Sequence, residues 1–451
     1  MKNPWKRFRH NVLSGEDAGA SPLIIPRADH GISRANISEN ALKVLYRLSK
    51  GGYEAYLVGG GVRDLLLGRE PKDFDIATSA TPDEVKKLFR NCRLIGRRFR
   101  LAHVHFGREI IEVATFRAGH EAGSDAHIND SGILVRDNVY GTLEEDAWRR
   151  DFTVNALYYN IRDFSVVDYT GGMPDLESGR IRMIGDPHQR FREDPVRMLR
   201  AVRFAAKLGF RIDKESEKAI RELGYLLEEV SNARLFDETL KLFLGGSAVE
   251  TYELLRHYRL FGQLYPETEG CLAEEKDHFP HTLLLHALEN TDRRIQQGKP
   301  VTPAFLYAAL LWEPVRREFE LLKGRDISPI QAMQMAGDAV IARQVPRVMV
   351  PKRFSLQSRE IWEWQERLKR NSGKRALRLL EQPRFRAAYD FLLLRARNGE
   401  ASRELADWWS EFQQSNEASR NAMLRRTGNG KGNNRRGRRR RPRKRPATPR
   451  T

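Results

Sequence analysis

The sequence predicts an α+β protein: a mixed N-terminal half built on a small sheet, then an almost all-helical remainder and a disordered basic tail. Three observations predict it. Short apolar runs and glycine turns alternate with helix signals as far as Ile181. Beyond that point apolar residues recur at helical spacing. From Ser415 onward the chain is polar and then rich in Gly, Asn and Arg, a composition that cannot bury a core. The expected divisions are a flexible arm (1–34), a catalytic head (35–180), a helical neck (181–280), a helical C-terminal domain (281–412) and the tail (413–451).

The 451 residues suffice for several domains with a sizeable core, and 40% hydrophobic with 31% charged residues describes a soluble chain. No run approaches the roughly 20 apolar residues of a membrane span. Met1–His10 is basic but lacks an apolar core, so no secretory leader is expected. Cys92 and Cys271 stand far apart, without metal-ligand spacing, as two ordinary thiols of a reducing compartment. The formal charge is +19, and Arg425–Arg450 alone holds thirteen Lys and Arg with no acidic residue. A tail of this kind meets polyanions.

In chain order, Ser38 precedes a helical pattern that ends at Gly51-Gly52. Tyr56-Leu57-Val58 is a short strand stopped by Gly59-Gly60-Gly61, and Val62 to Gly68 reads as a helix. Thr81-Pro82-Asp83-Glu84 combines a cap, a proline at the first helical position and a capping-box glutamate. Ala102–Phe106 and Glu109–Phe116 alternate around Gly107-Arg108 as a hairpin. Ala118–Gly132 reads as a mobile loop, and Leu143–Asn155 as helix. Helices are then expected at Leu223–Val230, Leu235–Leu244, Val249–Leu260, Leu283–Ile295, Pro303–Trp312, Ser358–Lys369 and Arg375–Arg397.

The chemistry concentrates around Lys72-Asp73-Phe74-Asp75. Residues i and i+2 of a strand share a face, so Asp73 and Asp75 project together while Phe74 packs inward. Glu112 lies on the strand face opposite Ile111 and Val113. An Asp-x-Asp alone is most often a surface turn, and Glu112 alone an exposed strand residue. Beside Gly59, Gly60 and Arg63 the three carboxylates fit a two-metal nucleotide site, since glycine admits a phosphate and arginine pairs with it.

Arg150, Asp151 and Asn155 bring charge and amide into a helical pattern. They are either a surface salt-bridge set or contacts to a nucleotide's sugar and phosphates. A helix runs from Asp194 and Pro195 to Gly209, with Arg197, Arg200, Arg203 and Lys207 inside an arc of about 120°. Asp194 also suffices as a plain N-cap. Arg97, Arg98 and Arg100 stand among apolar residues as an RNA-facing patch or a solvated face. Arg435, Arg436, Arg438, Arg439, Arg440 and Arg441 supply polyanion attraction in the tail.

From Ala55 through Gly209 the chain resembles the bacterial poly(A) polymerase/tRNA CCA-adding nucleotidyltransferase family. Five motifs in order carry the resemblance. They are Leu57-Val58-Gly59-Gly60 with Val62-Arg63-Asp64, Asp73-Phe74-Asp75, Glu112–Arg117, Arg150–Leu157, and Glu193-Asp194-Pro195-Val196-Arg197. The resemblance implies a polymerase-β-like head with a small mixed sheet, followed by a helical neck. It implies metal ligands at Asp73, Asp75 and Glu112, triphosphate contacts at Gly59, Gly60 and Arg63, and nucleotide positioning by Arg150, Asp151 and Asn155. It further implies base reading at Asp194 and Arg197, with Arg200 and Arg203 facing phosphate.

Both branches of the family share these motifs. Leu94–His103 and the Arg-rich C-terminus are similar to the polymerase branch, and no His-Asp dipeptide marks an attached phosphohydrolase domain. Asp277-His278 and His281 read as surface or capping residues. The expectation is a polynucleotide adenylyltransferase using ATP as substrate and two Mg²⁺ ions, with Mn²⁺ as a substitute. Its partners would be RNA 3′ ends, mainly of mRNA and small RNAs, with the RNA-decay machinery as a candidate and a monomeric, cytoplasmic state. The rivals are tRNA CCA addition and a non-catalytic RNA-binding protein.

Overall fold

The computed structural model describes residues 21–96, 100–118, 127–128, 134–136, 139–274 and 282–429. The chain forms two compact units, Met1–Val230 with Glu253–Leu260, and Ser231–Tyr252 with Phe261–Thr451. The expected break near residue 180 falls inside the first of these.

The first unit is built on strands β1 (Leu23–Ile25), β2 (Ala55–Val58), β3 (Asp75–Thr78), β4 (Cys92–Ile95), β5 (Leu101–Phe106) and β6 (Glu109–Thr115). A separate ribbon pairs β7 (His127–Ile128) with β8 (Leu134–Arg136), and β9 (Leu157–Asn160) and β10 (Val166–Asp168) complete the main sheet. Its eight strands run in the order β1-β10-β9-β2-β3-β6-β5-β4. Every neighbouring pair is antiparallel except β3 with β6, which places Asp75 in register with Glu112. Alternation holds along β6, where Ile111, Val113 and Thr115 are buried and Glu112 only half so.

Around this sheet lie α1 (Glu39–Lys50), α2 (Gly60–Leu66), α3 (Pro82–Leu88), α4 (Leu143–Arg149), α5 (Gly172–Ser178), α6 (Pro187–Glu193), α7 (Val196–Leu208) and α8 (Lys214–Leu223). Ser38 caps α1 by accepting from Ala41 N, and both hydrogen bonds of the Thr81–Glu84 capping box form at α3. Thr142 and Glu145 make a second such box at α4. The N-terminal arm is shorter than expected. Leu23–Ile25 joins the sheet edge, and Ile25 and Ile32 are buried. Three strand residues are too few to leave a period in the sequence.

The remaining helices are α9 (Asn232–Phe243), α10 (Ala248–His257), α11 (Leu260–Leu264), α12 (Pro266–Ala273), α13 (Leu283–Gln296), α14 (Pro303–Leu310), α15 (Trp312–Leu322), α16 (Pro329–Gln344), α17 (Lys352–Leu368), α18 (Lys374–Leu380), α19 (Phe385–Arg397), α20 (Arg403–Gln414) and α21 (Glu417–Asn429). The helix expected over Arg375–Arg397 is two, broken at Glu381–Arg384 where Pro383 removes a donor. The tail begins later than residue 413, because Met423 on α21 is buried in a cluster with Trp364, Phe385, Tyr389, Trp409 and Phe412. Asn416 accepts from Ser419 N at the start of α21, and Arg420 donates to the carbonyls of Phe412 and Gln413. No described helix is long and apolar enough to cross a membrane.

Candidate active site

The site begins where β2 stops. Gly59 adopts φ 72°, ψ −137°, a conformation open essentially to glycine alone, and α2 starts at the next residue. A Cβ on Gly59 would stand 3.7 Å from Arg150 Nη1, and one on Gly61 would stand 3.4 Å from the Asp73 carbonyl oxygen. The glycine turn therefore lies against both the aspartate segment and Arg150.

Asp75 opens β3, directly beside Glu112 on β6, while Asp73 lies just before the strand. Both aspartates are exposed, and Phe74 between them is half-buried against Gly61. Although Asp75 as a whole residue is exposed, desolvation of its carboxyl pushes it up to about 6; Glu112 and Asp73 add to the rise, and Arg150 opposes it. Like charges on adjoining strands add to such a rise. Among the described residues no three acidic, imidazole or thiol groups are already drawn together as a metal cage. The donor set nonetheless suits a hard divalent cation, being all carboxylate oxygen.

His103 was not singled out from the sequence. It pairs across β5–β6 with Glu112, its Nε2 3.4 Å from Glu112 Oε2. Counting back from the Gly107-Arg108 turn, Phe106 opposite Glu109 and then residue by residue along both strands, reaches this pair, so the hairpin pattern held the signal.

Arg150 is fixed from behind. Its Nε and Nη2 donate to Asp146 Oδ2 at 3.2 and 3.0 Å, and Nε also donates to the Tyr158 hydroxyl at 2.8 Å. Arg190, also not anticipated, donates from Nη2 to the carbonyls of Arg149 and Arg150. These bonds tie the start of the neck helices to the head.

The structure turns Arg63 inward rather than toward open space. It is 2% exposed, with Nε and Nη2 on Asp64 Oδ1 at 2.9 and 2.6 Å and Nη1 on Asn155 Oδ1 at 2.6 Å. Asn155 Nδ2 donates in turn to Asp151 Oδ1 at 3.3 Å, and Arg200 Nε donates to Asp151 Oδ2 at 2.7 Å. Burial pushes the Asp151 carboxyl up, but Arg200 and the hydrogen bonds from Asn155 and the Phe152 N–H hold it below its ordinary value.

Asp194 closes α6, and its Oδ1 accepts from Val196 N at 3.2 Å, while Pro195 takes the N-cap position of α7 expected for Asp194. Arg197 Nη1 reaches the Arg190 carbonyl and Glu193 Oε2, and Arg203 lies over the Phe204 ring. Arg100 is exposed, 3.5 Å from Asp83. Arg97, Arg98, the six tail arginines, Asp277, His278, His281 and most of the Ala118–Gly132 loop lie outside the described residues.

A mixed sheet carrying carboxylates on adjoining strands beside a glycine turn defines the class: a nucleotidyltransferase head. The Poly A polymerase head domain family matches residues 55–182, and the family described as "Polymerase A arginine-rich C-terminus" matches residues 325–445. Residues 209–272 match "Probable RNA and SrmB- binding site of polymerase A". Poly(A) polymerase I of Salmonella typhi is 52% identical over 432 residues, covering 92% of this chain and 93% of its own. The CCA-adding enzyme of Lactobacillus helveticus is 40% identical over 214 residues, covering 48% of this chain and 52% of its own. The chain belongs to the bacterial poly(A) polymerase family. A solved tRNA nucleotidyltransferase with a primer tRNA and an incoming ATP analogue shares the fold, with 24% identity and a TM-score of 0.55 over 84% of this chain and 99% of that one.

Proposed function

We propose that this protein extends RNA 3′ ends with adenylate from ATP, without a template. One observation carries the reading. The likeness to a poly(A) polymerase I runs through 92% of the chain, and residues 325–445 match the arginine-rich C-terminus of that family, whereas the likeness to a CCA-adding enzyme covers 48%.

Asp73, Asp75 and Glu112 would hold the two magnesium ions, with manganese as a substitute, which supply Lewis acidity to the RNA 3′-hydroxyl and to the triphosphate. Asp75, raised by burial with Glu112 and Asp73 adding to the rise, supports this assignment, since a bound cation would offset both effects. The triphosphate would lie against the backbone of Gly59 and Gly60, where Arg150 presents positive charge from a fixed mount. Asp194 and Arg197, at the start of α7, face the base in this reading. Arg63, Asp151, Asn155 and Arg200 act one step back, aligning the groups that touch nucleotide. Arg203, together with Arg97, Arg98, Arg100 and the arginines from Arg435 to Arg441, would bind the RNA backbone. The substrates are then the 3′ ends of mRNA and small RNAs, in the cytoplasm, with the RNA-decay machinery as the protein partner and a monomer as the working form.

Replacing Asp73 and Asp75 together by alanine tests the reading. Transfer should vanish while RNA affinity stays nearly whole. Transfer that survives would remove both residues from the site.

A further inference from the structure

We infer that Asp64 and Lys207 are positioning residues that close a ring of polar contacts between the glycine-turn helix and α7, and so set how selectively the enzyme takes ATP. The inference rests on the poly(A) polymerase reading and extends it to two residues that make no expected contact with substrate.

The ring can be followed atom by atom. Lys207 Nζ stands 3.7 Å from Asp64 Oδ2. Asp64 Oδ1 takes two bonds from Arg63, Arg63 passes to Asn155, Asn155 to Asp151, and Asp151 Oδ2 to Arg200. Arg200 and Lys207 are on the same helix, seven residues or about 10 Å apart along its axis. The ring thus leaves α7 at one point and returns to it two turns later. The Phe204 ring lies between the two, with the guanidinium carbons of Arg63 and Arg200 5.4 and 5.5 Å from its centroid. Arg69, just past α2, adds two longer bonds of 3.4 Å to the Lys207 and Leu208 carbonyls.

One tether would let a helix pivot, whereas two on one face fix its rotation and its axial position together. Of the residues assigned to the base, Arg197 sits at the opposite end of α7, about 15 Å from Lys207 by helix rise, and Asp194 just before that end. A small rotation at Lys207 is therefore carried as a rigid displacement to the base edge. The Lys207 side chain is 39% exposed, so its ion pair adds little to stability. Removing that pair leaves the fold standing and releases only the alignment.

The test uses the full chain, a 3′-hydroxyl RNA oligomer, Mg²⁺, and ATP or CTP supplied separately, comparing wild type with Lys207→Met, Asp64→Asn, the double variant and Lys207→Arg. Lys207→Met should raise the KM for ATP roughly fivefold, a larger change than in kcat, and narrow the ATP-to-CTP ratio of kcat/KM by a similar factor. Lys207→Arg should restore both, and the double variant should be little worse than either single one. Urea midpoints keep a folding defect separate from a change in selectivity. Equal losses with both nucleotides, a change in kcat alone, or no change beside an active wild type would overturn the inference. A wild type that extends with no nucleotide instead removes the transferase reading, and the ring with it.

Discussion

Arg63 Nη1 donates to Asn155 Oδ1 at 2.6 Å beneath the glycine turn, joining residues 92 apart in the chain. A buried guanidinium needs all its acceptors, because a charged group left short of a partner costs more than the bond itself gains. Asn155→Leu removes one acceptor and should lower unfolding stability by about 1–3 kcal/mol. Urea unfolding followed by tryptophan fluorescence measures it. A midpoint equal to wild type would mean that the bond from Arg63 carries no stability.

Asp75 supplies an opposite prediction. Its folded pKa of about 6 lies above the ordinary carboxyl value, so the folded protein holds the proton more tightly than the unfolded chain does. Stability then falls as pH rises from about 4 toward 6, and the cost persists at neutral pH. Asp75→Asn removes that cost. It should raise the melting temperature of the metal-free protein at pH 7.5, narrow the gap to wild type at pH 4, and abolish transfer. A lower melting temperature at pH 7.5 would show that the carboxylates are not in repulsion.

The fold was largely legible because its signals were local and redundant. Thr81, Pro82 and Glu84 each point to the same helix start, and the Gly107-Arg108 turn fixes the register of its hairpin. Strand alternation gives the face on which Asp75 and Glu112 each lie, but the pairing of β3 with β6 that sets them side by side is long-range, and Asp73 falls before the strand. What lay hidden was long-range. Nothing near Arg63 reveals that Asn155 and Phe204 will enclose it, so its charge suggested phosphate rather than an internal acceptor. Met423 reads as part of a polar tail until Trp409 and Phe412 are placed beside it.

Arg200 and Asp151 give a second pH dependence. Arg200 and the other donors hold the Asp151 carboxyl below its ordinary value against the upward push of burial. A depressed carboxyl contributes stability above the unfolded value of about 3.9 and loses it as pH falls through the folded value. Arg200→Met should therefore reduce stability at pH 7 and flatten the drop that wild type shows between pH 5 and pH 3. Urea midpoints at pH 7, 5 and 3.5 decide it, and parallel curves would contradict the pairing.

The last described helix, α21, ends at Asn429. Residues 430–451 carry eleven Lys and Arg. Trimming after Asn429 should weaken RNA binding and flatten its salt dependence by about 0.7 in slope for each phosphate that the tail no longer neutralises, with the melting temperature unchanged. Trimming after Gln414 also removes buried Met423 and should cost about 2 kcal/mol of stability. An unchanged salt slope in the shorter deletion would leave the tail without a role in RNA affinity.

Gel extension reads adenylate addition to RNA 3′ ends without an intermediary. Purified full chain, a 3′-hydroxyl RNA oligomer and Mg²⁺ are combined with each NTP in turn. ATP alone should give a long ladder. One or two CTP additions followed by a single adenylate, on a tRNA lacking its 3′ end, would contradict it.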